Sequence, residues 1–405
     1  MNILLIANKV PYPPKDGGAF ATLNMALGLC NNGINVTVVA ISTPKHPFTE
    51  MEVPPEIQDK IRIHSTFVDT KISSLSALKN LLFSQTPYNA ERFISKHFEL
   101  LVGQILLKNE FDIIQLEGLY LAPYIEKIRK LSKAPIALRA HNVEWEIWQR
   151  AAKNEGNPLK RIYLRILARR IKRMETNALQ KIDLLVPISM RDEKILCDMG
   201  FSGETKVCPT GYDLQKLVKL ESEVEFPSIF HLGGLDWIPN KEGLLWFLEN
   251  CWDKILEKVP GTKFYVAGRN ASGELIQKFS TYSNLVFLGE VPDSTEFMLS
   301  KAVMVVPLLS GSGMRIKIVE GMALGKAIVS TSVGAEGIDA EDGKEICIAN
   351  SDNDFISRTA ELLLNRSKCE ELGKNASIFA QQNLDNNLHV KQLVEFYSEY
   401  LRSKK

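Results

Sequence analysis

The chain has 405 residues, 45% hydrophobic and 24% charged, a composition that fits a globular protein of two domains and excludes a disordered or membrane-spanning chain. Six cysteines without CxxC spacing argue against zinc and redox motifs and favour a reducing cytoplasm. The net charge of +1 conceals an asymmetry: residues 1–210 hold 28 Lys and Arg against 21 Asp and Glu, whereas the remainder holds 21 against 27, so we expect the first half to meet an anionic surface or substrate.

Short apolar runs alternate with longer helical patterns along the chain, which predicts parallel sheets covered by helices on both faces. The first run is expected to be a buried strand, since its roughly six residues are too short for the core of a signal peptide. The predicted strands are 2–7, 35–41, 111–117, 135–140, 182–188 and 205–210 in the first half, and 228–234, 263–268, 284–289, 303–308, 327–332 and 345–349 in the second. We therefore expect two doubly wound α/β domains in tandem.

The charged segment at 211–227 lacks a strong period and predicts the boundary between these domains. We expect the first domain over residues 1–212 and the second over 213–385. A final helix over 386–405 has one apolar face and either caps its own domain or crosses back to the first. Open α/β sheets bind ligands at the carboxyl ends of their strands, so a cleft between the domains is the expected active site.

The loop after the first strand ends in Gly17 and Gly18, just before a predicted helix. Their amides can approach a phosphate at the positive end of that helix, because no side chain stands in the way. The GxGxxG spacing of dinucleotide-binding proteins is missing. A plain glycine turn into the helix is the alternative interpretation.

A histidine follows the strand at 135–140 directly, at His141 in the string AHNVEWEIW. Its position at a strand end favours a functional imidazole, with a hydrogen-bonded structural histidine as the alternative. Glu144 lies on the same turn and either orients His141 or caps the following helix; we favour the cap.

The segment at 159–176 combines apolar residues at helical spacing with seven cations. A basic amphipathic helix of this kind can lie on anionic lipid, so a peripheral membrane contact is one prediction. The other, which we favour, is a solvated helix packed on the sheet.

The string HLGGLDWIPNKEGLLWF, at 231–247, predicts a strand, a glycine turn and a helix that begins near Pro239 or Asn240. Gly233 and Gly234 permit close approach of the backbone to a ligand. Lys241 is a candidate phosphate contact, with an ordinary surface lysine as the alternative.

The stretch SGSGMRIKIVEGMALGKAIVSTSVGAEG, at 310–337, places charges within a run of small and apolar residues. We expect a helix that starts near Met314, with a diphosphate on the amides of Gly311, Gly313 and Met314. Arg315 and Lys317 would supply positive charge, and Glu320 would accept hydrogen bonds from a ribose diol. The alternative is a surface ion pair between Lys317 and Glu320, typically worth about 0.2–0.5 kcal/mol.

This stretch resembles the corresponding segment of retaining glycosyltransferases of family 4, which have the GT-B architecture. The likeness is best over roughly residues 228–340, and PYPPKDGG and the pattern R-x-H-N-V-E at 139–144 add weaker likeness in the first half. The resemblance implies two Rossmann-like domains facing each other across a deep cleft. The first would bind the acceptor and the second the nucleotide sugar.

The resemblance also implies roles for individual residues. Glu320 matches the second glutamate of the family's pair, which holds the nucleotide ribose. His141 matches the histidine that touches the donor sugar or its phosphate. Gly17 and Gly18 match the glycine loop near the reaction centre.

Two departures from the family pattern concern the donor side. Ser312, eight residues before Glu320, stands where the first glutamate is expected, and we count it among the candidate catalytic residues. The usual Arg and Lys of the turn after HLGG are replaced by Gly234 and a displaced Lys241. In a subgroup with the motif G-x-R-x-K-x-x-E, Arg315 or Lys317 is expected to take over the diphosphate.

Together the residues and the resemblance predict a metal-independent hexosyltransferase that uses a nucleotide-diphosphate sugar as co-substrate and no other cofactor. Following the family, the product would retain the anomeric configuration. The expected acceptor is a saccharide or a lipid-linked acceptor in surface polysaccharide or glycoconjugate synthesis, without a nucleic-acid partner. The expected location is the cytoplasm, at the inner face of the membrane. The DxD-like string at 352–354 is explained by helix capping rather than by metal binding.

Two alternatives stay open. A sugar-nucleotide epimerase or hydrolase of the same fold would need further acid and base groups in the cleft. A non-catalytic scaffold that binds nucleotide is allowed by Ser312, since an acidic residue is expected there. A nicotinamide-dependent oxidoreductase is disfavoured because GxGxxG follows neither domain's first strand.

Overall fold

A computed structural model describes residues 1–214, 223–311 and 313–404. The chain divides into two compact units, the first of Met1–Gly211 with Asn386–Lys405 and the second of Tyr212–Asp385. Each unit contains one parallel sheet with helices packed against it. The fold is therefore α/β with two Rossmann-like sheets.

The first unit is built on a seven-stranded sheet whose order is β3-β2-β1-β4-β5-β6-β7. Its innermost strands are almost wholly buried, which explains their uninterrupted apolar runs. The strands are β1 Asn2–Ala7, β2 Asn35–Ser42, β3 Ile61–Phe67, β4 Ile113–Glu117, β5 Ile136–Ala140, β6 Leu184–Pro187 and β7 Glu204–Thr205. The helices are α1 Gly17–Asn31, α2 Pro55–Gln58, α3 Ser74–Phe83, α4 Tyr88–Glu91, α5 Lys96–Lys108, α6 Ile125–Leu131, α7 Glu144–Asn154, α8 Pro158–Leu179 and α9 Met190–Asp198, with 3-10 turns at Glu50–Glu52 and Leu119–Tyr124.

The second unit is built on a six-stranded sheet whose order is β10-β9-β8-β11-β12-β13. The strands are β8 Glu225–Leu232, β9 Lys263–Ala267, β10 Leu285–Gly289, β11 Lys301–Val306, β12 Ala327–Ser330 and β13 Cys347–Ile348. The helices are α10 Ile238–Phe247, α11 Asp253–Lys258, α12 Gly273–Phe279, α13 Ser294–Leu299, α14 Ile316–Ala323, α15 Asp352–Leu364 and α16 Arg366–Asn383, with a π-helical turn at Leu248–Trp252. Its core is rich in aromatic side chains, with Trp252, Phe247, Phe264 and Phe355 packed together.

Every predicted strand is present, several are shorter than predicted, two of them reduced to two residues, and one strand was missed. The runs at 205–210 and 345–349 contribute only Glu204–Thr205 and Cys347–Ile348 to the ladders. The missed strand is β3, Ile61–Phe67, which lies at the edge of its sheet and pairs only with β2. Four of its seven residues are polar and most of the strand is only partly buried, so it lacks the continuous apolar run of its neighbours.

The final helix, α17 Asn386–Ser403, packs on the first unit against α1. The two helices approach closely at Gly28, where an added Cβ would lie 2.8 Å from Val390 Cγ2 and 2.9 Å from Asn386 Nδ2. The apolar face of α17 joins the core that lies under β1 and β2, through Val390, Leu393, Tyr397 and Tyr400. The last helix thus completes the core of the first unit.

Gly28→Leu is expected to force α17 away from α1 and to lower the free energy of unfolding by about 1–3 kcal/mol, the usual cost of overpacking. Urea unfolding followed by circular dichroism measures the loss, and hydrogen exchange should speed up in α17. Gly156→Leu is the control, because a Cβ at Gly156 meets no atom within 4 Å. Equal effects of the two substitutions would contradict the packing at Gly28.

Candidate active site

Strand order creates a crevice at the carboxyl edge of each sheet. In the first sheet the chain moves outward from β1 to β3 and returns on the other side of β1 at β4. In the second it moves from β8 to β10 and returns beside β8 at β11. The connections after β1 and β4, and those after β8 and β11, therefore lead to opposite faces of their sheet, and ligands of open α/β sheets bind at such points.

In the first unit, His141 is held by a carboxylate that the sequence analysis did not select. Glu117, the last residue of β4, accepts a hydrogen bond from His141 Nε2 at 2.9 Å. Since Nε2 is engaged by Glu117, Nδ1 is the ring nitrogen that a ligand can reach. The imidazole lies directly after β5 and is partly exposed.

Glu117 is buried and is surrounded by donors. Arg139 Nη1 donates to it at 3.2 Å and Thr22 Oγ1 at 3.1 Å. Burial raises the pKa of Glu117, but the Arg139 charge and the His141 hydrogen bond outweigh burial and hold that pKa at about 2. Glu117 is consequently ionised at neutral pH and fixes the orientation of the His141 ring.

The network around Glu117 extends to the last helix of the chain. Gln115 Nε2 donates to Glu117 Oε1, and Tyr397 Oη in α17 donates to Gln115 Oε1 at 2.6 Å. Arg139 also bonds Ala21 O at 3.1 Å. Strands β4 and β5 and helices α1 and α17 therefore meet at one buried charge.

Gly17 and Gly18 are the first two residues of α1 rather than the residues before it. The helix is capped by Asp16, whose side chain accepts from Ala19 N at 2.9 Å. Lys9 Nζ and His46 Nε2 each lie 2.9 Å from the same carboxylate. Burial raises the pKa of Asp16, but the His46 hydrogen bond and the Lys9 charge outweigh it and hold that pKa well below its usual range. The end of this helix thus already carries a negative side chain.

The expectation that Glu144 caps the helix after His141 is wrong. Glu144 is the first residue of α7, and the cap is Glu175 of α8, which accepts from Glu144 N at 3.1 Å and Trp145 N at 3.3 Å. The Glu144 side chain accepts instead from Tyr120 Oη at 2.8 Å and Asn142 Nδ2 at 3.3 Å. Burial raises the pKa of Glu144, so α7 begins between two buried carboxyl groups.

The helix predicted at 159–176 is α8. Its apolar stripe packs into the core of the first unit through Leu164, Leu167 and Ile171, as expected for a solvated helix on the sheet. Leu159 and Ile162 remain exposed. In the described part of the chain, no helix is long and apolar enough to cross a membrane.

In the second unit, the turn after β8 is tightly packed by its own side chains. A Cβ on Gly233 would lie 2.6 Å from Asn240 Nδ2, which donates to Gly234 O at 2.9 Å. Helix α10 begins at Ile238, slightly earlier than predicted, and Lys241 lies one turn into it. Gly233 is therefore required by the packing of the turn itself.

Beneath that turn lies His231, which the sequence analysis did not single out. It is buried, and its Nδ1 lies 3.1 Å from Val305 O. Burial lowers the pKa of His231 to about 4, so the imidazole is neutral at physiological pH. A neutral ring with Nδ1–H donated to the carbonyl ties β8 to β11 at the crevice.

The loop after β11 is longer than predicted, because α14 begins at Ile316 and not near Met314. Gly311 and Gly313 have φ of 120° and 83°, which only glycine adopts readily, and Met314 is buried behind them. Arg315 Nη1 donates to Gly313 O at 2.8 Å, and its guanidinium lies 5.1 Å from the centroid of the Trp237 ring. Ser312, the remaining predicted residue of this loop, lies outside the described residues.

The ion pair between Lys317 and Glu320 forms, with Nζ 2.7 Å from Oε2, but it is not a surface pair. The Glu320 side chain is only 7% exposed, whereas that of Lys317 is 40% exposed. Ser294 Oγ donates to Glu320 Oε1 at 3.3 Å. Tyr212 is close enough that burial and the Glu320 charge raise its pKa. The carboxylate is thus fixed in place at the crevice.

The structure brings the loops after β8 and β11 together. Trp237, from the first loop, lies against Gly311 and Arg315, from the second, and Ser310 Oγ donates to Glu242 Oε2 at 3.0 Å. Among the described residues, no group of three or more His, Cys, Asp or Glu side chains is arranged to hold a metal ion. The string at 352–354 forms the first turn of α15, capped by Ser351.

Comparison with known proteins adds a family match in the second unit and structural likeness over the chain. Residues 226–365 match the family model for glycosyl transferases group 1. Sucrose-phosphate synthase from Thermosynechococcus elongatus has a similar structure, with a TM-score of 0.70 over 100% of both chains at 16% identity. HepE from Anabaena, in complex with UDP-glucose, has a TM-score of 0.66 over 98% of this chain and 99% of its own, at 14% identity. These structures show the GT-B fold, and the match to glycosyl transferases group 1 lies in the second unit.

Two relatives in sequence extend the comparison. An uncharacterized 44.6 kDa protein in the cps region of Klebsiella pneumoniae is 23% identical over 394 residues, which cover 95% of this chain and 96% of that protein. An uncharacterized glycosyltransferase from Methanocaldococcus jannaschii is 24% identical over 162 residues, 37% of this chain and 39% of that protein. The first likeness spans both units.

The cap of α7 predicts a pH dependence of stability. Burial and the neighbouring Glu144 raise the pKa of Glu175 from 4.5 to about 8. Between these values the folded protein keeps a proton that the unfolded chain has released, so stability falls as pH rises through that window. Glu175→Gln removes this titration, so its melting temperature should rise relative to wild type between about pH 5 and about pH 8. Glu395→Gln, at an exposed position, is the control; parallel curves for wild type and Glu175→Gln would refute the assignment.

Proposed function

We propose that the protein transfers a hexose from a nucleotide-diphosphate sugar to an acceptor hydroxyl. The observation that carries this proposal is the crevice of the second unit, where a buried carboxylate, Glu320, lies on the same short helix that begins beside Arg315 and carries Lys317. A ribose diol suits the carboxylate, and a diphosphate suits two cations at a helix N-terminus. HepE, a neighbour in structure, was crystallised with UDP-glucose.

The chemistry of the transfer follows from charge. As the bond between the sugar and the diphosphate breaks, negative charge develops on the leaving phosphate, and Arg315, Lys317 and the first amides of α14 stabilise it. His141, oriented by Glu117, contributes its Nδ1 side to the donor sugar or its phosphate. No other cofactor and no metal ion is part of this scheme.

We further propose that the anomeric configuration is retained, by front-face attack assisted by the leaving phosphate. Of the site carboxylates described, Glu117 is engaged by Arg139 and His141, and Glu320 by Lys317. Neither is disposed to act as a covalent nucleophile. The leaving phosphate is then the base that takes the proton of the acceptor hydroxyl.

The acceptor is proposed to bind at the crevice of the first unit, as a saccharide or lipid-linked acceptor of surface polysaccharide or glycoconjugate synthesis. The relative from the cps region of Klebsiella pneumoniae supports that setting. A cytoplasmic location at the inner face of the membrane fits a lipid-linked acceptor, with the cations of α8 toward anionic lipid.

Thermal shift with UDP-, GDP-, ADP- and dTDP-sugars, followed by mass spectrometry of the products, tests the proposal. Transfer to an acceptor supports it. Donor hydrolysis or epimerisation without transfer favours the second class of enzyme, and nucleotide binding without any turnover favours a scaffold.

Glu320→Ala is expected to weaken binding of the nucleotide sugar about 10- to 100-fold, because two hydrogen bonds to an ionised group are lost. Isothermal titration with the nucleotide that gives the largest thermal shift measures the change. Glu361→Ala, on the surface of the same unit, is the matched control. If both variants bind as wild type does, Glu320 does not hold the ribose.

His141→Ala is expected to lower turnover about 10²- to 10³-fold, the usual effect of removing one group that stabilises developing charge, and to change nucleotide affinity much less. Initial rates at saturating donor measure the first quantity and titration the second. His97→Ala, an exposed histidine of the same unit, should match wild type in both. Unchanged turnover in His141→Ala would remove the imidazole from the reaction.

A further inference from the structure

Helix α3 exposes its leucines to solvent and buries a polar residue. Leu75, Leu78 and Leu82 recur at i, i+3 and i+7, and Ile72, just before the helix, and Phe83, its last residue, are exposed as well. These five side chains, which we call the α3 apolar face, are between 52% and 87% exposed. All residues of α3 are described, and Asn80 is the only buried one.

Helix α3 exposes apolar side chains and buries a polar one, and hydrogen bonds rather than apolar packing hold it against the protein. Asn80 Nδ2 donates to Thr86 O at 2.9 Å and to Glu91 Oε2 at 2.7 Å. Arg170 of α8 donates from Nη1 to Asn80 O at 3.2 Å and from Nη2 to Leu81 O at 2.8 Å. The side of α3 that carries Asn80 is thus hydrogen-bonded to the rest of the protein, and its leucines face the solvent. Single exposed leucines are common in soluble proteins, but a row of them marks a surface that binds something.

The neighbourhood of this face is positively charged. Residues 69–91 contain Lys71 and Lys79 against Asp69 and Glu91, so the excess positive charge comes from residues 156–174 of the adjoining α8 segment, which contain seven Lys and Arg and no carboxylate. Helix α8 lies alongside, since Arg173 Nη1 also donates to Gln85 Oε1 at 3.2 Å. Arg165 and Arg169 are exposed.

We propose that the α3 apolar face docks on an anionic lipid bilayer, with its leucines at the boundary between headgroups and acyl chains and the α8 cations against the headgroups. A short helix with leucines on one side and lysines around them suits that boundary. A second copy of the chain would bring two positive surfaces together, which is unfavourable. Protein interfaces are enriched in Tyr, Trp and Arg at their centre, whereas the centre of this face is leucine. The proposal rests on the membrane location of the proposed function but not on the transfer reaction, since none of these residues lies in either crevice.

The test uses the purified full-length chain and two sets of vesicles, phosphatidylcholine alone and phosphatidylcholine with about 30 mol % phosphatidylglycerol. At low salt, wild type should co-sediment with the anionic vesicles and much less with the neutral ones. The double variant Leu78→Ser/Leu82→Ser should bind the anionic vesicles at least about tenfold more weakly, because the apolar area that enters the interface is removed. Its melting temperature and nucleotide affinity should stay at the wild-type values, since both side chains are exposed.

Leu364→Ser is the matched control, an equally exposed leucine of the second unit, and should bind vesicles as wild type does. Equal binding by the double variant and wild type would overturn the proposal, as would absence of binding to anionic vesicles at low salt. Sedimentation equilibrium without lipid supplies the third arm. Self-association of wild type that the double variant loses would assign the face to a second copy of the chain and not to lipid.

Discussion

The charge on Glu117 is the constraint around which the first unit is organised. An ionised carboxylate away from water costs several kcal/mol unless donors surround it, and here Arg139, His141 and Thr22 all donate to it. These donors come from β5, the turn after it and α1, so one charge determines where three segments meet. A neutral side chain at this position would leave Arg139 buried without its counter-ion. It would also leave His141 without the partner that fixes the orientation of its ring.

The second unit handles charge differently. Its overall balance is acidic, yet its crevice gathers Arg315 and Lys317 on a loop that glycines keep open. Arg315 is held by a carbonyl and an aromatic face, and Lys317 by a buried carboxylate, so both cations are positioned before any anion arrives. In the first unit the excess positive charge lies elsewhere, on the exposed side of α8. The second unit thus concentrates two positioned cations in one crevice, whereas the first spreads its cations over an exposed helix surface.

The sequence was sufficient for the architecture because central parallel strands are buried on both faces and appear as continuous apolar runs. It was insufficient for β3, which is only partly buried and largely polar. It was also insufficient for the start of α14, because two glycines with positive φ lengthen the turn before it. The candidate site divides in the same way. Glu320 and the cations near it could be found locally, within one helix. Glu175 as the cap of α7 could not, since its partners are about 30 residues away in sequence. Glu117 could also have been found from the sequence, because it is a carboxylate at the end of an apolar strand.

The position of α17 in the core of the first unit affects the order in which the two units can fold during translation. Its side chains Val390, Leu393 and Tyr397 belong to the core under β1, and Tyr397 reaches the Glu117 network through Gln115. Domains usually fold from the N-terminus as the chain leaves the ribosome. Here the first unit stays incomplete until α17 emerges, after the second unit has been translated. His141, whose ring is oriented by Glu117, therefore acquires its complete surroundings only after α17 has been translated, and α17 follows the whole of the second unit in the chain.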